Sequence, residues 1–186
     1  MPGIRQAHLG DAAIIAAIEV ETWRATYAGT LADTLLLGMS AEGKARQWAG
    51  QLRHGTEGVW VWENEDRGVL GFGHCGRQRM RSLAYAGEIT MLYVWPDAQE
   101  QGIGRSLVLA MFSDLRVRGM ASALVWVLAA NPSRFFYARL GGKLVAHRPI
   151  EMAACQVEAL GYGWSDLDPA RIKRIDRSDK NYELDE

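Results

Sequence analysis

The sequence predicts an α/β (α+β) fold in which a single mixed sheet is flanked by helices, and three observations predict it. Strand-like segments and segments with helically spaced apolar residues interleave in the order βααβββαβαββ. Two strand-rich runs, 59–62 and 69–75, are separated by a short polar turn and read as an antiparallel hairpin. A chain of 186 residues, 48% hydrophobic and 23% charged, is long and apolar enough to bury one full core.

Residues 3–7 are short and β-like. The segment His8-Leu9-Gly10-Asp11 reads as a turn, with Asp11 expected to cap the next helix through its side-chain oxygen. Ile14, Ile15, Ile18 and Trp23 fall near helical spacing, and Gly29 and Gly38 punctuate the next stretch. Ala45, Trp48, Ala49 and Leu52 mark a second helix over 41–52. After the hairpin, 87–95 is a third strong strand, ended by Pro96. Ile103, Leu107, Val108, Met111, Phe112 and Leu115 form a helical stripe over 102–116. The apolar run 123–128 reads as a strand covered on both faces. Asn131, Pro132 and Ser133 start a helix carrying Phe135, Phe136, Tyr137 and Leu140, stopped by Gly141 and Gly142. Segments 143–152 and 155–164 close the sheet. One domain is expected over 1–168, followed by a charged tail, 169–186, frayed or docked only in part.

Composition narrows the function. The net charge is −1, without the basic excess of a nucleic-acid binder. Arg77, Arg79 and Arg81 read as a solvated loop between strands. The two cysteines, Cys75 and Cys155, are far apart and in no CxxC pair, which fits a reducing compartment. No unbroken apolar stretch approaches a membrane span, and the first residues enter the fold pattern without a signal-peptide profile. A cytoplasmic protein with no membrane or nucleic-acid partner is expected. The four histidines show no metal-ligand spacing, so no metal is expected.

The chemistry concentrates in Gln99, Glu100, Gln101, Gly102, Ile103, Gly104 and Arg105, which come after a strand and open an amphipathic helix. Glycines there keep side chains out of the way of a ligand. Free amides and the positive end of the helix dipole make a seat for phosphate oxygens, to which Gln99 or Arg105 can add donors. The third glycine of a dinucleotide fingerprint is replaced by Leu107, and no Walker loop is present. Alone, the loop suits several phosphate-bearing ligands, or a strand-to-helix turn that binds nothing.

The flanks add to that reading. Val94 and Pro96 close the strand, and Gln99, Gly102 and Gly104 fill a [QR]-x-x-G-x-[GA] pattern at the helix start. A second block runs from Trp126 through Asn131, Phe136 and Tyr137 to Gly141. The two blocks, with a less specific stretch from Ile4 to Trp23, resemble the GNAT superfamily (GCN5-related N-acetyltransferases) over roughly residues 3–165. The sequence departs from the family pattern in two places. Ser133 or Arg134 stands where Ala is common, and Gly142 replaces the Phe usual after the helix-ending glycine. The second departure is expected to reshape the acceptor pocket.

The resemblance implies a mostly antiparallel sheet, the acyl-CoA acyltransferase fold, and transfer of an acetyl group from acetyl-CoA to a primary amine by direct attack on the thioester. The acceptor is expected to be a small molecule, with a protein or peptide acceptor, or a non-catalytic acyl-CoA sensor, as the other readings. By the same resemblance the pyrophosphate of CoA sits on residues 99–105. The pantetheine arm pairs with the exposed edge of the 87–95 strand at Leu92, Tyr93 and Val94, and Asn131 contacts the cofactor. Glu88 is implied as the general base that takes the ammonium proton, against the alternative of a solvent-facing strand end. Tyr137 is implied as acid or hydrogen-bond donor to the leaving thiolate, against a packed aromatic beside Phe136. Trp23, Arg24, Tyr27 and His74 are the acceptor-pocket candidates. A homodimer is among the expected assemblies, since family members often dimerise.

Overall fold

Seven strands form one sheet in the order β1-β2-β3-β4-β5-β7-β6 in a computed structural model that describes residues 3–55, 57–80, 83–152, 155–169 and 172. The strands are β1 (Gly3–Gln6), β2 (Val59–Asn64), β3 (Gly68–Arg77), β4 (Gly87–Val94), β5 (Ala123–Leu128), β6 (Lys143–Met152) and β7 (Cys155–Trp164). Every neighbouring pair is antiparallel except β4 and β5. The helices are α1 (Ala12–Tyr27), α2 (Asp33–Gly38), α3 (Ala41–His54), α4 (Ile103–Val117) and α5 (Arg134–Arg139). The fold is thus the mixed, mostly antiparallel sheet flanked by helices that the sequence predicts.

The helices cover both faces because their apolar stripes match the two faces of the sheet. On one side, Ile15 and Ile18 of α1 and Trp48 and Leu52 of α3 pack on Val59, Val61 and Phe72. On the other, Val108, Met111, Phe112 and Leu115 of α4 meet Ile89, Val125, Tyr137 and Trp164. Phe112 and Met111 are fully buried, and each such side chain contributes about 1.5–3 kcal/mol relative to exposure. Among the described residues, no helix is long and apolar enough to cross a membrane.

Three local expectations are corrected. Asp11 does not cap α1 with its side chain. Its carboxylate turns back instead, accepting from Arg5 Nη1 at 2.7 Å, Arg5 Nη2 at 2.9 Å and the His8 amide at 2.8 Å. Burial pushes this carboxyl up, but those hydrogen bonds outweigh it and hold Asp11 below its usual range. A six-residue helix, α2, occupies the stretch between Gly29 and α3, anchored by buried Leu36. Arg79 is not simply solvated, because it is the ion-pair partner of Glu88. Arg81 lies outside the described residues, as does the charged tail apart from Pro169 and Ile172; Ile172 is buried in the α4-side core.

Candidate active site

The site originates in one irregularity of β4. Met91 stands opposite His74, but Ile89 stands opposite Cys75, so two steps along β4 match one along β3. The extra residue is Thr90, a β-bulge. Beyond it the strand's parity is reversed. Ile89 packs among the α4 residues, whereas Met91, two positions on, packs against the α1 and α3 side. A regular strand would place both on one face.

The bulge also bends β4 away from its parallel neighbour. β4 and β5 pair only at Gly87 with Ala123, Glu88 with Leu124 and Ile89 with Val125. Above that point they part, and a cleft of about 1700 Å³ opens between Thr90–Val94 and Val125–Leu128. Antiparallel bonding alternates. The Trp95 amide donates to Leu70 O, so Tyr93 and Met91 face β3 and the amides of Leu92 and Val94 face the cleft. The Val94 carbonyl is already engaged, accepting from Gln99 Nε2 at 3.1 Å and Thr22 Oγ1 at 3.4 Å. Leu92 N–H, Leu92 C=O and Val94 N–H are therefore the groups of this half-strand left for an extended ligand.

The cleft runs to the start of α4. Gly102 is the residue before the first helical turn, at φ 85°, and no side chain caps the turn. Glu100 also takes a positive φ, 60°, unusual for a residue with a side chain. A Cβ on Gly104 would lie 3.3 Å from Phe136 Cζ, so this glycine lets α5 close over the helix start. The amides following Gly102 thus line the cleft without a side-chain acceptor at the cap among the described residues. Arg105 and Arg139 stand beside them, each with a buried Nε that has no partner among the described residues.

Most of the sequence-predicted residues converge here. Gln99 to Arg105, Leu92, Tyr93, Val94, Asn131, Tyr137, Trp23 and Tyr27 all line the cleft. Tyr137 of α5 is 6% exposed, and its hydroxyl has no hydrogen-bond partner among the described residues. Burial raises its pKa well above the ordinary phenol value, so the group stays protonated at neutral pH. Trp23 Nε1 donates to the Tyr93 hydroxyl at 3.0 Å, and Asn131 Nδ2 donates to the Tyr27 hydroxyl at 2.8 Å. Asn131 Oδ1 also receives the Ser133 amide at 2.8 Å, which fixes the entry to α5.

Three predicted residues do not reach the cleft. Glu88 is 2% exposed at the paired end of β4, before the bulge. Its carboxylate takes the Arg79 amide at 3.0 Å and Arg79 Nη2 at 2.6 Å, and it is not among the lining residues. It stands neither in the cleft lining nor at a solvent-facing strand end, but buried at the paired end of β4. His74 lies behind the bulge, with Nδ1 2.6 Å from Thr90 Oγ1 and its ring edge-on to Trp48. Burial, then the nearby Arg118 and Arg79 charges, lower its pKa. Arg24 is spent on α2, donating to Leu36 O at 3.3 Å and Met39 O at 3.0 Å. Gly142, the second departure from the family pattern, lies outside the cleft lining as well. A Cβ there would lie 2.7 Å from Trp164 Cζ2 and 2.9 Å from Tyr137 O, so Trp164 of β7 fills the space next to Gly142.

Sequence reading missed the wall opposite α1. Trp126 of β5 and Arg148, Ile150 and Met152 of β6 line that end. The available signal is the alternation of β6, which puts residues 148, 150 and 152 on one face. Among the described residues, no cluster of His, Cys, Asp and Glu is arranged to hold a metal.

The chain is similar to known proteins along the same lines. A family model described as FR47-like protein matches residues 78–149, which span β4, α4, β5 and α5. The N-acetyltransferase YuaI of Bacillus subtilis (strain 168), itself uncharacterised, is 32% identical over 167 residues, 90% of this chain and 95% of YuaI. The chain belongs to the GCN5-related N-acetyltransferase (GNAT) family. Solved GNAT structures share its fold. The GCN5-related N-acetyltransferase of Rhodopseudomonas palustris superposes with a TM-score of 0.69 at 20% identity, covering 88% of this chain and 94% of the other. The PaiA N-acetyltransferase of Thermoplasma acidophilum, solved in complex with coenzyme A, gives 0.64 at 18% identity, covering 88% and 99%. The parting of β4 from β5 and the uncapped start of α4 thus lie in a GNAT fold.

Proposed function

We propose that this GNAT protein transfers the acetyl group of acetyl-CoA to a primary amine of a small molecule. The observation that carries the reading is the parting of β4 from β5 above Ile89, which leads unpaired strand amides straight to the uncapped start of α4. The PaiA complex with coenzyme A supports the choice of cosubstrate. The residues present fit it. The amides after Gly102, with Arg105 and Arg139, suit a pyrophosphate, and the free groups of Leu92 and Val94 suit an amide-rich arm.

Bound acetyl-CoA would supply an activated acyl carbon, at which a neutral amine forms the C–N bond as the C–S bond breaks, the nitrogen's surplus proton passing to water and the sulfur leaving as the thiol. The strand amides of β4 hold the arm in register and can donate to the carbonyl oxygen as charge develops on it. Tyr137, protonated and without an acceptor among the described residues, donates a hydrogen bond to the departing sulfur. The side chains of Trp23, Tyr27, Trp126, Ile150 and Met152 wall the acceptor end, which supports a small acceptor over a peptide. One catalytic domain over 1–168, acting in the cytoplasm without a metal, completes the reading.

Calorimetry with CoA and a thiol-release assay over an amine panel test it. Uptake of CoA with turnover of small amines is the expected result. Absence of CoA uptake overturns the reading, and turnover of peptides alone reassigns the acceptor.

A further inference from the structure

We propose that Arg148 recognises a carboxylate on the acceptor, so that the substrate class is an amino acid with an apolar side chain. This rests on the acetyl-transfer reading above and narrows it.

Arg148 stands half-buried on β6, its guanidinium 4.8 Å above the Trp126 ring. Gly161 of β7 helps seat the stack, since a Cβ there would press on Trp126 at 3.2 Å. One terminal nitrogen of Arg148 lies against the Met80 sulfur, a weak acceptor. Its Nε is buried with no partner among the described residues, and so is the Trp126 Nε1 beneath it. Both side chains of the stack thus carry a donor with no acceptor among the described residues, and each unpaired buried donor costs about 1–3 kcal/mol.

The charge of the cleft points the same way. Among the described residues its one lining carboxylate is Glu100, on the α4 loop; its cations are Arg105, Arg139 and Arg148. Arg105 and Arg139 sit with the α4 and α5 ends, where a pyrophosphate is expected. Arg148 is left facing the Trp126, Ile150 and Met152 wall without a counter-charge among those residues. A planar guanidinium held flat on an aromatic ring is pre-organised to receive a carboxylate. A single cation balances one negative charge, which suits a carboxylate better than a phosphate dianion. The same cation repels diamines and polyamines.

The test pairs acceptors that differ only in the carboxylate: L-phenylalanine, L-phenylalaninamide and 2-phenylethylamine, then the other apolar amino acids with their decarboxylated counterparts. Thiol release is followed for the parent, Arg148→Gln and Arg148→Lys, with CoA affinity measured by calorimetry on each. The acid is expected to exceed its matched amine by about tenfold or more in kcat/KM. Arg148→Gln should erase that ratio mainly through KM, Arg148→Lys should restore part of it, and CoA affinity should hold in both. The proposal is overturned if amines match or outrun their acids, if Arg148→Gln leaves the ratio where it was, or if no carboxylate-bearing acceptor is turned over. Loss of CoA uptake by the parent is a separate result, and strikes the acetyl-transfer reading itself.

Discussion

Arg79 clasps Glu88 with its own amide and with its guanidinium, at 3.0 Å and 2.6 Å, but only Glu88 is buried. The two halves of this pair should therefore respond unequally to mutation. Arg79→Ala strands a buried carboxylate and is expected to cost about 3 kcal/mol. Glu88→Gln leaves Arg79 in water and should cost less, about 1.5 kcal/mol for the lost charge-assisted bonds. Chemical denaturation of both variants measures the difference. Glu88→Gln should keep acetyl transfer near the parent rate; a collapse in kcat with the fold intact would return Glu88 to the mechanism.

Tyr137 should act on turnover and not on cofactor affinity. Tyr137→Phe is expected to lower kcat by about 10²-fold with the KM for acetyl-CoA little changed. Because burial holds the phenol protonated, kcat should show no alkaline fall attributable to Tyr137 up to about pH 10, the ordinary tyrosine value. A pH–rate profile of parent and variant checks both points.

His74 links stability to acid. Its folded pKa lies below the ordinary value of 6.5, so the unfolded chain binds the proton first as the pH falls. Stability should decline on acidification below about pH 6.5, by at most ~1.4 kcal/mol per pH unit, until the folded imidazole titrates as well. Above pH 6.5 this contribution is fully present. His74→Asn, which keeps a polar atom near Thr90, should flatten the acid limb of the Tm-against-pH curve. An unchanged limb would place the acid sensitivity elsewhere.

Gly142 and Trp164 compete for one volume. Gly142→Phe restores the residue common in the family but drives its Cβ onto the Trp164 ring and the Tyr137 carbonyl. A loss of about 3 kcal/mol or more is expected, because backbone stands on one side of the clash. Adding Trp164→Ala should recover part of it, and a double-mutant thermal melt reads the coupling.

Much of the fold and of the α4 end of the cleft was legible in the sequence because the signals were local. The stripe from Ile103 to Leu115 and the glycines at 102 and 104 are read within one helix and its first turn. Position along a strand is read less well. Glu88 and Leu92 belong to the same strand, yet the bulge at Thr90 puts one in a closed sheet and the other at an open edge. Asp11 met the capping expectation by position, but Arg5, across a turn, competed for its carboxylate and won. Arg148 and Trp126 come from strands separated by α5, and only the β5-β7-β6 order stacks them.

The bulge makes the length of β4 a quantity that selection can see. Removing Thr90 would restore regular alternation, leave Met91 and Tyr93 on the α1 and α3 side, and let the strand zip onto β5 where a ligand should lie. The described residues of the β3–β4 connection, 78–80 and 83–86, lie outside the strands and follow no such alternation. Drift in chain length among relatives should therefore collect in that connection and be purged from the eight residues of β4.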